Sequence, residues 1–323
     1  MTRTTIGVLG AAGIAPAAIL RPALRRGDDV RVTAVASRRG ARGYADEHGI
    51  EKAYDSYEAL LGDPDIDLVY NALPPAFHAR WTIAALEAGK HVLCEKPFTM
   101  NAAEAEEVVA AAERTGRRVV EAFHDHYHPL HAWVASFLAD GGVGTVRAVR
   151  AVFDGSNPFD PASIRHDPAV GGGALMDLGC YPVHWIRSLF GEPEVLQAAA
   201  QLNPLGADLT IEAHLTLPTG ADATVSASMI EGVPLRSDLE VLGDRGLLLV
   251  RNLVFPSRGH SITVEVDGLP SSCTVAGRET YDHQLDAVLA ALASGEPLPT
   301  EGADSVANMR TIDAIYASAG LHR

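Results

Sequence analysis

The chain has 323 residues, with 26 lysines and arginines against 41 aspartates and glutamates, a formal charge of −15, and 47% hydrophobic residues. That acidic balance argues against a nucleic-acid partner, which needs a basic face, and the apolar content excludes wholesale disorder. Three cysteines, Cys94, Cys180 and Cys273, are odd in number and lack metal spacing, which fits a reducing cytoplasm.

The length suits about two domains. The apolar stretch up to Leu20 sits where a signal peptide would, but Gly7, Gly10, Gly13 and Pro16 interrupt it and Arg21, Arg25 and Arg26 follow. A first strand, a tight turn and a helix explain it better. No run approaches the roughly 20 apolar residues of a membrane span. Strands are expected at 5–9, 31–36, 68–72, 91–94 and 119–122, and helices between them at 14–26, 40–48, 56–61, 76–88 and 102–115. Such alternation implies a parallel sheet with right-handed crossovers. Asn101 suits an N-cap for the last helix and Gly116 its stop. After Phe123 the rhythm changes. Helices are expected at 129–139 and 178–190, and strands at 146–153, 195–200, 209–217, 223–229, 238–242, 247–250 and 261–266. Consecutive strands of this kind suggest a largely antiparallel sheet. Helices at 283–293 and 303–319 close the chain. The organisation is a nucleotide-binding α/β domain over 1–123, then an α+β domain over 124–323 with a large, mostly antiparallel open sheet.

Gly10-Ala11-Ala12-Gly13-Ile14-Ala15 fits the dinucleotide-binding turn G-x-G-x-x-G/A with alanine at its second small position. Gly10 permits the tight turn, Ala12 and Gly13 let the backbone approach a pyrophosphate, and Ala15 lets helix pack on strand. The helix start at Ile14 then offers N–H groups and a positive dipole end to phosphate. After the second strand stands Ser37-Arg38-Arg39, with no acidic residue. Two guanidinium groups and a hydroxyl suit the 2′-phosphate of NADP better than the bare ribose of NAD. Glu95-Lys96-Pro97 follows the strand at 91–94, where a lysine can project into the ligand crevice. Downstream, Gly171-Gly172-Gly173-Ala174-Leu175-Met176-Asp177-Leu178-Gly179-Cys180-Tyr181 places Asp177 one helical turn before Tyr181, so both can face one pocket. Free tyrosine titrates near 10, and a neighbouring ammonium such as Lys96 would favour the phenolate needed as a base.

EKP together with GGG-x-L-x-D-x-G-x-[HY] resembles the Gfo/Idh/MocA family over essentially the whole chain. The resemblance implies a Rossmann domain, a C-terminal α+β domain, and oxidation or reduction of carbohydrate-like alcohols and carbonyls with NAD(P). It assigns Lys96 to nicotinamide ribose and substrate, Asp177 to substrate binding and catalytic support, and Tyr181 to the place where many members have a catalytic histidine. Tyrosine there resembles the glucose–fructose oxidoreductase and dihydrodiol dehydrogenase branch. His184 replaces the acidic residue of inositol dehydrogenases. Leu73, Pro74, His78, Glu95 and Arg165 fall at cofactor-side positions. Relatives often read E-A-F-M-x-R-x-H-P where this chain has Glu121-Ala122-Phe123-His124-Asp125-His126-Tyr127-His128-Pro129, so His124 and His126 would reshape the substrate pocket.

Other readings compete. His124, His126 and His128 alternate, would share one face of an extended chain, and have His131 nearby, so a metal-dependent hydrolase or isomerase is one rival. An NAD-dependent glycosidase of the same family is another, and a non-catalytic NADP sensor a third. Tyr281, His283 and Gln284 open a late helix and could cap it or reach substrate. Too few helices accompany the second sheet to cover both its faces. An uncovered apolar face, with the family habit, implies a homodimer or homotetramer.

Overall fold

The computed structural model describes residues 3–321, which fall into two compact units. The first comprises the chain up to Phe123 together with Tyr281–Val306. Its strands are β1 (Thr4–Leu9), β2 (Val30–Ala36), β3 (Lys52–Tyr54), β4 (Leu68–Asn71), β5 (His91–Cys94) and β6 (Val119–Glu121). They form one parallel sheet in the order β3-β2-β1-β4-β5-β6. This order reverses between β1 and β4, and ligands bind such sheets beyond the strand ends at that switch point. Gly10 follows β1 and Ala72-Leu73 follow β4, so both motifs flank it.

Strands covered on both faces should read as unbroken apolar runs, and every residue of β4 is buried. The crossover helices are α1 (a π-helical turn Pro16–Leu20 running into Arg21–Arg26), α2 (Ala41–His48), α3 (Tyr57–Leu61), α4 (His78–Glu87) and α5 (Ala102–Thr115). Asn101 caps α5 by accepting from Glu104 N at 3.0 Å, and Gly116 ends it at φ 63°. The chain returns here with most of α8 (Thr280–Ser294), although 281–306 was expected in the second domain. The reason is a stripe at helical spacing, Tyr281, Leu285, Val288 and Leu289, buried with Ile6, Val8 and Tyr70 in one core.

The second unit comprises His124–Thr280 and the chain from Ala307 on. After α6 (Pro129–Ala139), the strands β7 (Val146–Asp154), β8 (Glu194–Leu202), β9 (Asp208–Thr216), β10 (Asp222–Ser228), β11 (Arg236–Gly243), β12 (Gly246–Arg251), β13 (Ser261–Val266) and β14 (Leu269–Cys273) build a second sheet. Its order is β14-β13-β12-β11-β7-β10-β9-β8, antiparallel throughout except where β10 runs parallel to β7. The inner face carries Val149, Ala151, Phe153, Ala213, Val225, Leu239, Val241 and Val250, all buried. Against it packs α7 (Cys180–Phe190), entered through a π-helical turn Leu175–Gly179. The opposite face was expected to be apolar and is not. Arg150 stands beside Glu240 across β7 and β11, with Glu212 and His214 on β9, all exposed. Alternation with period two put the polar set outward. The last helix, α9, spans Ala303–Ser318. Among the described residues no helix is long and apolar enough to cross a membrane.

Candidate active site

In the first unit, Gly10 adopts φ +97°, a region L-residues avoid, and a Cβ there would lie 3.2 Å from Leu73 Cδ2 and 3.3 Å from Ala72 O. A Cβ on Gly13 would meet nothing within 4 Å. The turn therefore packs tightly on the β4 loop through Gly10 while Gly13 offers open backbone. Ala15 is fully buried beneath α1, which begins with Pro16 and has neither a side-chain cap nor an acidic residue in its first turn. Its positive end is thus left for a ligand anion. Tyr44 steadies the turn by donating to Ala12 O at 3.0 Å. This cradle fits a dinucleotide.

Arg38 and Arg39 are exposed after β2, and the Arg38 guanidinium lies 5.8 Å from the Phe77 ring centroid. Ser37, expected to help bind phosphate, donates its hydroxyl to Arg39 O at 2.8 Å and shapes the turn. His78 is buried, with Nδ1 2.9 Å from Pro97 O and Nε2 2.6 Å from Leu73 O. It ties the β4 loop to the loop carrying Lys96. Burial pushes its pKa down to about 4, with Lys96 adding to the effect against the pull of the carbonyls. We take it as neutral, donating through one nitrogen only. Glu95 accepts from the buried Tyr70 hydroxyl at 2.5 Å, and burial pushes that phenol well up. Asn71, which the sequence did not mark, accepts from Leu73 N at 3.3 Å and donates to Thr82 Oγ1 at 3.1 Å, fixing the loop between β4 and α4.

In the second unit, two glycines position the site by close approach. A Cβ on Gly172 would lie 2.5 Å from Ile164 O, and one on Gly179 would lie 3.3 Å from Ala227 Cβ on β10. The first pins the segment bearing Arg165, the second seats Asp177 and Tyr181 on the sheet. Arg165, expected toward the nicotinamide, donates through Nε to Asp177 Oδ2 at 2.8 Å, with both side chains partly exposed. Tyr181 is 3% exposed, and its hydroxyl lies 3.0 Å from His124 Nε2. His124 Nδ1 lies 2.7 Å from the Thr280 hydroxyl. Phe153 packs edge-on to Tyr181 at 5.4 Å.

The remaining histidines go elsewhere. His124–Tyr127 is a 3-10 turn, not the extended run on which the metal reading depended. His126 meets His131 at 4.2 Å and His184 at 5.2 Å between ring centroids, and His184 is fully buried there. His128 caps α6 by accepting from Leu130 N at 3.1 Å. Among the described residues no group of three or more His, Cys, Asp or Glu side chains could hold a metal ion. Beside the cluster, Asp125 accepts from Trp185 Nε1 at 2.7 Å, and burial raises its pKa to about 6. Cys94 and Cys180 are buried and Cys273 is exposed.

Residues 4–123 match the oxidoreductase family with an NAD-binding Rossmann fold, GFO_IDH_MocA, and residues 131–249 match the GFO/IDH/MocA C-terminal domain. The chain therefore belongs to the Gfo/Idh/MocA oxidoreductases. It is 36% identical to D-xylose 1-dehydrogenase (NADP(+)) 2 of Haloferax volcanii, over 97% of this chain and 96% of that one. Trans-1,2-dihydrobenzene-1,2-diol dehydrogenase of Xenopus laevis is 32% identical over 78% of this chain and 72% of its own. The crystal structure of KijD10, a 3-ketoreductase from Actinomadura kijaniata in complex with NADP and TDP-benzene, superposes with a TM-score of 0.90 at 30% identity, covering 98% of both chains.

Proposed function

We propose that this protein transfers a hydride between NADP(H) and a carbohydrate-like alcohol or carbonyl, with Tyr181 as acid/base. The observation that carries the reading is a phenol hydroxyl, buried and hydrogen-bonded to an imidazole, on the helix that the Asp177-containing turn leads into. Gly10, Gly13 and the start of α1 would hold the pyrophosphate. Arg38 and Arg39 would hold the 2′-phosphate, with no carboxylate at the end of β2 to repel it. When bound, the cofactor supplies or accepts the hydride. The protein's own residues manage the proton. In oxidation Tyr181 takes the proton of the substrate hydroxyl, and in reduction it returns that proton to the carbonyl oxygen. Lys96 favours the ionised form of Tyr181 and orients the substrate. Asp177, steadied by Arg165, accepts from a second substrate hydroxyl. A pair of hydroxyls held by Tyr181 and Asp177 suits a sugar or a cyclic diol.

The test offers NADP+ or NAD+ with D-xylose, other aldoses and trans-1,2-dihydrobenzene-1,2-diol, and NADPH with ketosugars, followed at the reduced-cofactor absorbance band. Turnover with NADP+ or NADPH on at least one polyhydroxylated substrate is expected. Absence of turnover across all of them overturns the reading.

A further inference from the structure

We infer that His124 is a positioning residue that donates from Nε2 to the Tyr181 oxygen, its tautomer set by the Thr280 hydroxyl. The inference rests on Tyr181 being the acid/base and adds the group that prepares it. Tyr181, His124 and Thr280 are 3%, 1% and 2% exposed, so the three form a buried line of polar groups. The hydroxyl-to-Nε2 distance is 3.0 Å and the Nδ1-to-Thr280 distance 2.7 Å. The His124 ring is also held by Phe255, 5.8 Å away and tilted 30°, so its edge stays aimed along the line.

A neutral imidazole carries one N–H, so the line can be protonated in two ways. In the first, the Tyr181 hydroxyl donates to Nε2, and Nδ1–H donates to Thr280. The only proton on Tyr181 is then spent on His124, and an ionised Tyr181 would face the lone pair of Nε2. In the second, the Thr280 hydroxyl donates to Nδ1, and Nε2–H donates to the Tyr181 oxygen. The phenol proton is then directed away from His124, toward a substrate oxygen. After that proton leaves, the negative oxygen keeps its donor, and a charge-assisted hydrogen bond replaces a neutral one. Only the second arrangement serves both ends of the reaction. The threonine hydroxyl is what permits it, because it can donate to Nδ1 as readily as accept. This assignment moves His124 away from the direct substrate contact that its place in the sequence suggested.

The first readout is the tautomer of His124 by 15N NMR of the labelled full-length protein without substrate, its signals assigned by their loss in His124→Gln. A protonated Nε2 and bare Nδ1 are expected. A protonated Nδ1 overturns the inference, and this result does not depend on the activity of any variant. The second readout is Tyr181 ionisation, followed by 13Cζ-tyrosine NMR. His124→Leu should raise the pH of ionisation by about one unit, the effect of losing one hydrogen bond of ordinary net strength. His124→Gln places an amide N–H where Nε2–H stood and should bring it back to within a few tenths. An unchanged titration in His124→Leu, or equal shifts in both variants, overturns the donor role. Thr280→Val should populate both tautomers, and an unaltered His124 spectrum overturns the lock. None of these measurements uses turnover. Full activity in Tyr181→Phe would instead sink the functional reading, and the tautomer would still stand or fall separately.

Discussion

Asp125 gives the sharpest stability prediction. Its side chain is buried close to His184, and one oxygen accepts from Trp185 Nε1 at 2.7 Å. The other makes no hydrogen bond of ordinary geometry. Burial, the largest effect, raises the pKa from 3.8 to about 6, while the nearby His184 and the Trp185 hydrogen bond pull it down. A carboxyl whose pKa is raised on folding favours the native state while protonated and penalises it once ionised. Below pH 4 both states hold the proton and no penalty exists. Between about 4 and 6 the unfolded chain ionises first, and above 6 the full penalty applies. A shift of roughly two units corresponds to about 3 kcal/mol as an upper figure. Asp125→Asn keeps an acceptor for Trp185 and cannot ionise. Its stability relative to the parent should therefore climb by about 1–3 kcal/mol between pH 4.5 and 7.5. The assay is urea unfolding of both proteins across that range, and the quantity of interest is their difference. Taking the difference removes groups common to both. One is His131, whose pKa burial pushes well below the ordinary value, so it supports the fold above pH 6.5 and is lost as pH falls. A difference independent of pH, or one that shrinks as pH rises, would refute the reasoning.

Other expectations follow from single contacts. Tyr181→Phe should lose about 100- to 10,000-fold in turnover with NADPH affinity nearly intact, and near-normal turnover would remove Tyr181 from the acid/base role. Lys96→Ala should lower turnover and weaken binding as well, and the double variant should be little worse than the worse single, because groups acting as a unit are not additive. Arg38→Ala should weaken NADPH binding by about 1–3 kcal/mol and leave NADH unchanged in fluorescence titration; parent protein that binds NADH equally well contradicts the 2′-phosphate assignment. Gly179→Ala would set a Cβ 3.3 Å from Ala227 Cβ and 2.9 Å from Leu175 Cδ1, so thermal unfolding should show a loss of about 1–3 kcal/mol.

Much of this architecture could be read from local rules. Helix α5 has the expected limits because Asn101 and Gly116 carry their own cap chemistry. The parallel sheet was legible because its strands are short apolar runs set between helical periods. β3 was missed because Lys52–Tyr54 is only three residues long, half-buried, and held at the sheet edge partly by the Lys52–Asp63 ion pair at 2.8 Å. β14 is wholly exposed and has no apolar period, yet a signal for it existed. Asp267-Gly268 takes φ 51° and 78°, the two-residue hairpin turn that Asp-Gly favours. The return of 281–306 to the first unit had no local signal, since an apolar stripe does not say which core it will meet.

The histidines show what spacing alone leaves open in the second unit. Residues two apart share a face in an extended chain, because each residue turns by about 180°. In a 3-10 turn each residue turns by about 120°, so the same spacing sends side chains in different directions. His124, His126 and His128 therefore reach Tyr181, the His131–His184 cluster and the start of α6, respectively. Nothing in the letters distinguishes the two backbones. What selects the turn is its surroundings: Asp125 must reach Trp185 on α7, and Pro129 must open α6. The turn, with the extended His128 that follows it, thus divides three like residues among three tasks. It brings one of them, His124, within hydrogen-bond distance of Tyr181, where a donor can hold the phenol oxygen without competing for substrate.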